Sequence, residues 1–194
     1  MEIINGERLV LGTCYYPEHW DESLWRDDLR RMLENGIEVI RIAEFAWSKI
    51  ERYEGVFNYD FYDKFLDLAE EMGMKVIFCT PTATPPAWLT EKYPEVLNAN
   101  IDGVLYRHGG RRHYNYNSPK YQELTRIIVE KSASHYAKHP AIIGWQIDNE
   151  INCEKDEFYS ESDTIAFRKF LMKKYGSIDA LNDAWGTNFW NQTY

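Results

Sequence analysis

The chain has 194 residues, of which 44% are hydrophobic, enough for one globular domain with an apolar core. Its net charge of −9 disfavours a nucleic acid or an anionic membrane surface as partner, because both would repel it. No apolar run approaches the roughly 20 residues of a membrane span, and residues 1–8 lack the pattern of a signal peptide. Cys14, Cys79 and Cys153 are odd in number and far apart, which favours reduced thiols in a cytoplasmic protein.

Aromatic side chains are abundant for this length, with seven Trp and fourteen Tyr. Sugar rings stack on such side chains, and an acidic protein does not repel a neutral substrate of that kind. Core packing is the commoner role of any single aromatic residue, so composition alone leaves carbohydrate binding open.

A strand followed by a helix recurs four times along the chain. Apolar runs predict strands over residues 9–16, 37–43, 74–79 and 141–147. Helical spacing and capping residues predict helices over 21–35, 59–72, 118–138 and 163–175, with a shorter one over 178–185. Near-continuous apolar strands are typical of a parallel sheet buried on both faces, as in a doubly wound domain or a (β/α)8 TIM barrel. The absence of a Gly-x-Gly-x-x-Gly turn and of a Walker pattern disfavours a nucleotide-binding α/β domain.

Polar and aromatic residues gather where the predicted strands end. The four strand ends carry Tyr15-Tyr16-Pro17-Glu18-His19, Glu44-Phe45-Ala46-Trp47, Thr80-Pro81-Thr82 and Asn149-Glu150. In a barrel this rim carries the active site. Residues 80–117, rich in Pro, Thr, Asn and Gly, form a segment too long for a mere connector, which predicts a functional loop.

Glu150 is the strongest candidate for chemistry. Glycoside hydrolysis needs one carboxylic acid that protonates the leaving oxygen and a second carboxylate across the anomeric carbon. A Glu at the mouth of an apolar strand is expected to be partly buried, which would help it to hold a proton. The amide of Asn149 can hydrogen-bond a sugar hydroxyl. A salt bridge at the rim is the alternative role for Glu150.

Several separated motifs resemble the β-galactosidases of glycoside hydrolase family 42, in family order and along nearly the whole chain. They are Gly12-Thr13-Cys14-Tyr15-Tyr16-Pro17-Glu18-His19-Trp20, Arg41-Ile42-Ala43-Glu44-Phe45-Ala46-Trp47, Thr84-Pro85-Pro86-Ala87-Trp88-Leu89, Arg111-Arg112-His113-Tyr114, Trp145-Gln146-Ile147-Asp148-Asn149-Glu150 and Ala184-Trp185-Gly186-Thr187-Asn188-Phe189-Trp190. The resemblance implies a (β/α)8 TIM barrel, of which residues 1–194 are the N-terminal half with about four of eight β/α units.

The resemblance also implies roles for individual residues in the hydrolysis of terminal β-D-galactosides with retention of configuration. Glu150 becomes the catalytic acid/base, Asn149 and Arg112 hydrogen-bond the galactosyl unit, and Trp190 offers an aromatic wall. Neutralisation of local acids is the alternative for Arg112, and core packing is the alternative for Trp190. For Glu44, a structural hydrogen-bonding role is at least as well supported as a contact with substrate.

One departure from the family concerns metal binding. Some members carry a zinc-binding cysteine cluster, but here only Cys153 remains, and the aligned positions hold Asn115, Phe158, Ser160 and Asp163. A tetrahedral thiolate site cannot be built from these residues, so neither a structural zinc nor a cofactor is expected.

A second departure is length. The family's nucleophile, a Glu on a later strand, is absent, and a retaining mechanism needs two carboxyl groups about 5 Å apart. The isolated chain is therefore expected to be an inactive fragment. A half-barrel leaves its outer strands unpaired, so we expect self-association or pairing with the missing C-terminal half.

Two alternatives stay open. The chain could be a non-catalytic carbohydrate-binding or assembly fragment, or part of a related barrel glycosidase with another sugar preference, such as a β-glucosidase, mannanase or cellulase. His19 and His113 are expected to be packed or hydrogen-bonded rather than catalytic.

Overall fold

A single parallel sheet organises the chain, whose computed structural model describes residues 8–151 and 153–190. Its strands, in sheet order, are β1 (Leu11–Cys14), β2 (Ile37–Ile42), β3 (Lys75–Cys79) and β4 (Ile142–Gln146). Each strand pairs with the next along the chain, so that Gly12 lies beside Val39 and Ile40 beside Val76. A doubly wound sheet reverses its strand order, whereas a barrel keeps neighbours in sequence adjacent. The arrangement is the N-terminal half of a (β/α)8 barrel, as predicted.

Helices connect the strands. They are α1 (Trp25–Glu34), α2 (Trp47–Ile50), α3 (Asp60–Met72), α4 (Ala87–Lys92), α5 (Pro119–Tyr136), α6 (Glu161–Tyr175) and α7 (Ile178–Trp185). The Ser118 hydroxyl caps α5, and Gly73 ends α3 in the left-handed conformation, as the sequence predicts. The hydroxyl of Ser160 caps α6, which begins at Glu161, two residues before the predicted start at Asp163. Among the described residues, none of the helices combines the length and the hydropathy that a bilayer span requires.

The core lies between the sheet and the helices that cover one of its faces. Its fully buried members include Leu29, Ile40, Ile42, Phe65, Leu66, Val76, Phe78 and Ile128. Trp25 of α1 packs edge-on against Phe61 and Phe65 of α3, at centroid distances of 5.0 and 5.2 Å. Each large apolar side chain buried in this way contributes about 1.5–3 kcal/mol, and together they fix α1 and α3 on the sheet.

The other face of the sheet is open. All four residues of β1 are exposed and β4 is only half-buried. Leu11 is 49% exposed, and Ile147, just after β4, is 73% exposed. The predicted burial of the strands on both faces is therefore wrong for the outer strands, because nothing in residues 8–151 and 153–190 covers this side. In a closed barrel these side chains would fill the interior.

The long segment after β3 is more ordered than its composition predicts. It contains α4 and two isolated bridges, which pair Leu97 with Tyr114 and Ala99 with Leu105. Tyr114 stacks on Tyr121 of α5 with ring centroids 4.7 Å apart. These contacts hold residues 109–113 beside the end of β4.

Candidate active site

An open depression lies at the carboxyl end of the sheet, lined by Arg41 and residues 146–151. Glu150 stands at its rim with a side chain that is 53% exposed. Its Oε2 atom lies 2.8 Å from Nη2 of Arg111, whose Nη1 atom lies 2.9 Å from Glu154. The predicted partial burial of Glu150 is wrong for this chain, because β4 is the last strand of the sheet and its free side meets solvent.

The backbone at the tip of β4 adopts an uncommon conformation. Asp148 and Glu150 have φ angles of 54° and 45°, in the left-handed region that non-glycine residues rarely adopt. The residue that follows β3 fixes this tip, since the backbone N–H of Asp148 donates to Oγ1 of Thr80 at 2.7 Å. The Asp148 carboxylate accepts a hydrogen bond from Oγ1 of Thr82 at 2.7 Å and another from the backbone N–H of Asn149 at 2.6 Å. These bonds set the direction in which Glu150 leaves the strand.

Asn149 is buried, with 7% of its surface exposed, and lies directly beside Glu150. Its Oδ1 accepts from Nε2 of Gln146 at 3.1 Å, which fixes the orientation of the amide. Its Nδ2 has no hydrogen-bond acceptor within the described part of the chain. The group can therefore donate to a hydroxyl in the depression, although its contact with a galactosyl unit stays a prediction.

Arg112 is also buried, at 3% exposed, and its guanidinium contacts protein groups. Nη1 donates to the hydroxyls of Tyr114 and Tyr116, at 2.8 and 2.5 Å, and lies 3.3 Å from the Asp148 carboxylate. Nη2 donates to the backbone carbonyl of Glu150. The geometry gives Arg112 an anchoring role and agrees with neutralisation of a local acid, while its predicted sugar contact stays untested.

Arg111 is the guanidinium that faces Glu150, and the sequence-based prediction missed it. Its side chain is 45% exposed and lies over the ring of Phe45, 5.8 Å from the centroid. Two consecutive arginines in an irregular segment carry no periodicity that tells which one is buried. Only the left-handed backbone of Arg112, with φ of 60°, separates them, and the sequence does not signal it.

Glu44 connects the ends of three strands. Its side chain is 1% exposed and accepts from Tyr16 at 2.7 Å and from Nη2 of Arg41 at 2.6 Å. Nη1 of Arg41 donates in turn to Oε1 of Gln146 at 2.7 Å, which extends the connection from β2 to β4. Burial, together with the hydrogen bond to Glu44 and its charge, raises the pKa of Tyr16 to about 12. Glu44 is thus structural, the role that the sequence supported at least as well as substrate contact.

The remaining predicted residues have different outcomes. His19 is exposed and stacks on Tyr16 at 5.1 Å, and His113 is 5% exposed with Nδ1 donating to the carbonyl of Gly110 at 2.8 Å. Both are packed or hydrogen-bonded, as expected. The side chain of Trp190 lies outside the described residues, so its role as an aromatic wall stays a prediction.

The positions aligned with the family's cysteines form a hydrogen-bonded cluster. The Asn115 amide donates to the hydroxyls of Ser160 and Ser162, and Ser160 donates to Asp163 at 2.7 Å. These groups satisfy one another and include no thiol, so they do not fit a tetrahedral thiolate zinc site. The cluster joins the start of α6 to the segment before α5 by hydrogen bonds alone.

Among the described residues, one group of three potential metal ligands lies away from the depression. It comprises Asp67, Glu70 and His139. Nδ1 of His139 accepts the amide hydrogen of Ala141 at 3.3 Å, so a neutral ring carries its proton on Nε2, the atom 3.5 Å from Asp67. The nitrogen that faces the carboxylates is therefore a donor, and we assign no metal to this group.

Comparison with known proteins identifies what the fold and the strand-end residues resemble. The glycoside hydrolase family 42 model, described as β-galactosidase, matches residues 14–194. β-Galactosidase BgaA of Thermus sp. is 46% identical over 186 residues, and Bga of Halorubrum lacusprofundi is 44% identical over 185 residues. Each match covers 95% of this chain but only 29% and 26%, respectively, of the relative. The crystal structure of β-galactosidase from the psychrophilic Marinomonas ef1 has a TM-score of 0.91 at 44% identity, over 96% of this chain and 28% of that one.

Proposed function

This chain belongs to glycoside hydrolase family 42, the β-galactosidases, and we propose that it supplies the acid/base half of an enzyme that hydrolyses terminal β-D-galactosides with retention of configuration. The observation that carries the proposal is the position of Asn149 and Glu150. They stand together at the carboxyl end of β4, beside the exposed guanidinium of Arg111. We place this hydrolysis in carbohydrate metabolism, in the cytoplasm, a location that the three free cysteines support.

Glu150 would protonate the glycosidic oxygen as the leaving group departs and then deprotonate the attacking water. To do so it must exchange its ion pair with Arg111 for a contact with the substrate. Nδ2 of Asn149 would donate to the hydroxyl next to the reacting carbon. Arg112 is proposed to contribute to galactosyl binding, chiefly by donating to the backbone carbonyl of Glu150 and so holding that residue in place. Trp190 is proposed to form the aromatic wall of the site.

The second carboxylate of a retaining mechanism has no candidate in the described part of this chain. Glu44 and Asp148 are buried carboxylates at the strand ends, and both already accept hydrogen bonds from protein donors. We therefore propose that the chain alone does not turn over galactosides. This feature also favours the alternative, a non-catalytic carbohydrate-binding or assembly fragment, for the chain in isolation.

A chimera tests the enzymatic role. The chain replaces the corresponding 186 residues of Thermus sp. BgaA, and hydrolysis of nitrophenyl β-galactoside, β-glucoside and β-mannoside is measured. We expect galactoside hydrolysis that Glu150→Gln lowers by about 10²–10⁴-fold, the usual contribution of a general acid/base. Glu154→Gln is the matched control, since Glu154 pairs with the same Arg111 but lies off the tip of β4. Full activity in Glu150→Gln, or a preference for another sugar, would overturn the proposal.

The open sheet face supports the proposed association. β1 and β4 are the outer strands, and apolar side chains stand exposed near them, including Leu11 at 49% and Ile147 at 73%. Such edges pair with further strands when these are available. We propose self-association, or pairing with a C-terminal half-barrel, which sedimentation velocity of the purified chain tests. A compact monomer at high concentration, unchanged by added C-terminal half, would contradict it.

A further inference from the structure

A second cavity is lined in part by Arg111, the residue that pairs with Glu150 at the rim. It has a volume of about 420 Å³, within the usual range of small-molecule sites. It is lined by residues after β2, by the loop after β3, by residues 108–111 and by His113, so it is built entirely from the described chain. Phe45, Pro85 and Pro86 give it an apolar wall, and Arg111 lines it while pairing with Glu150 at 2.8 Å.

Two polar atoms of residues lining this cavity lack a hydrogen-bond partner in the described structure. They are Nε2 of His113 and Oγ1 of Thr84, and both are buried. Because Nδ1 of His113 donates to the carbonyl of Gly110, a neutral ring presents Nε2 as a bare acceptor. Burial lowers the pKa of His113, which keeps the ring neutral. Buried polar atoms are nearly always paired, so two unpaired ones at one cavity point to an absent partner with hydroxyl groups.

We propose that this cavity binds the sugar on the leaving-group side of the substrate, so that the galactosides taken are oligosaccharides whose second ring packs on Phe45 and the two prolines. One hydroxyl of that ring donates to Nε2 of His113, and another pairs with Oγ1 of Thr84. The exposed ring of His108 packs edge-on against His113, at a centroid distance of 5.0 Å, and moves to admit the sugar. The inference rests on the proposed function, because the leaving oxygen that Glu150 protonates joins the galactosyl unit to this second ring.

The test uses the 194-residue chain, since the whole cavity lies within it. Lactose is titrated against chain carrying ¹⁵N-labelled histidine, and methyl β-galactoside serves as a probe with the galactosyl unit but no second ring. We expect a saturable shift of Nε2 of His113 with lactose and none with methyl β-galactoside. Thr84→Val removes the hydroxyl without changing shape and should weaken lactose binding about fivefold, the effect of one hydrogen bond, while Thr84→Ser retains it.

Stability separates binding from a structural role. Thr84→Val removes an unpaired buried hydroxyl, so the free chain should unfold at the same or a higher urea concentration. His135→Gln, on exposed α5 surface, is a control that should leave the lactose titration unchanged. No saturable shift, or equal lactose affinity in Thr84→Val, would mean that only water fills the cavity, and would overturn the inference. The chimera decides the proposed function separately: an active chimera with no lactose effect here overturns this inference alone, whereas an inactive chimera overturns the proposed function and, with it, the assignment of this cavity to the leaving-group side.

Discussion

The two consecutive arginines allow a matched test of what holds the active-site rim together. In Arg112→Met a buried guanidinium, at 3% exposed, is replaced by an apolar chain of similar length. The Asp148 carboxylate, whose side chain is 12% exposed, then loses its cation, and two tyrosine hydroxyls and a carbonyl lose their donor. Removing one partner of a buried pair costs roughly 3–5 kcal/mol, and because Asp148 is partly exposed we expect the lower end of this range, about 3 kcal/mol.

Arg111→Met is the control, because the ion pairs of Arg111 are exposed and contribute about 0–1 kcal/mol. Urea unfolding followed by circular dichroism measures both variants against the parent. In thermal unfolding, a loss of about 3 kcal/mol in a chain of this size corresponds to a fall in Tm of roughly 6–12 °C. If Arg112→Met costs no more than Arg111→Met, then the buried guanidinium does not anchor the tip of β4, and the structural assignment is wrong.

Three further predictions follow from the same contacts. The pKa of Tyr16 is raised to about 12 from its ordinary value of about 10, so between these pH values the native chain keeps the phenol proton while the unfolded chain loses it. The free energy of unfolding should therefore be unchanged below pH 10 and should fall as the pH rises toward about 12. Urea unfolding on both sides of pH 10 should show a smaller fall in Tyr16→Phe. Burial, and then the charge of Glu44, raises the pKa of the Cys79 thiol to about 12, so iodoacetamide should label exposed Cys14 and spare Cys79 in the native chain; equal labelling by mass spectrometry would contradict this. Chelation with EDTA should leave the urea midpoint of unfolding unchanged, because hydrogen bonds among Asn115, Ser160 and Asp163 hold the start of α6. A lower midpoint after chelation would mean that a bound metal holds α6 instead.

The fold was largely predictable from sequence. Apolar runs and caps such as Ser118 and Gly73 act locally, and local signals place strands and helices to within a few residues. What could not be predicted depends on the neighbours of each element. The apolar run of β1 reads as a buried strand, yet it is exposed because no further element of the described chain packs on it. Likewise, α4 lies hidden in a segment whose prolines and threonines indicate irregular structure.

The candidate site divides in the same way. That Glu150 and Asn149 stand at the end of β4 follows from strand polarity and could be predicted. The distinct positions of Arg111 and Arg112 could not, because they depend on one left-handed backbone angle and on tyrosines several residues away. The structural role of Asp148 also went unrecognised, since its partners are threonines from another strand end.

The left-handed tip of β4 has a consequence for protein engineering. Each non-glycine residue in that conformation costs about 1–2 kcal/mol, and the bonds from Thr80, Thr82 and Arg112 offset the cost at Asp148 and Glu150. The orientation of the Glu150 carboxyl group is therefore set by these neighbouring residues rather than by β4 itself. If residues 148–150 are transplanted into another scaffold, Thr80, Thr82 and Arg112 must be transplanted with them. Without these partners the three residues should adopt an ordinary extended conformation, in which the carboxyl group of the glutamate lies in a different position.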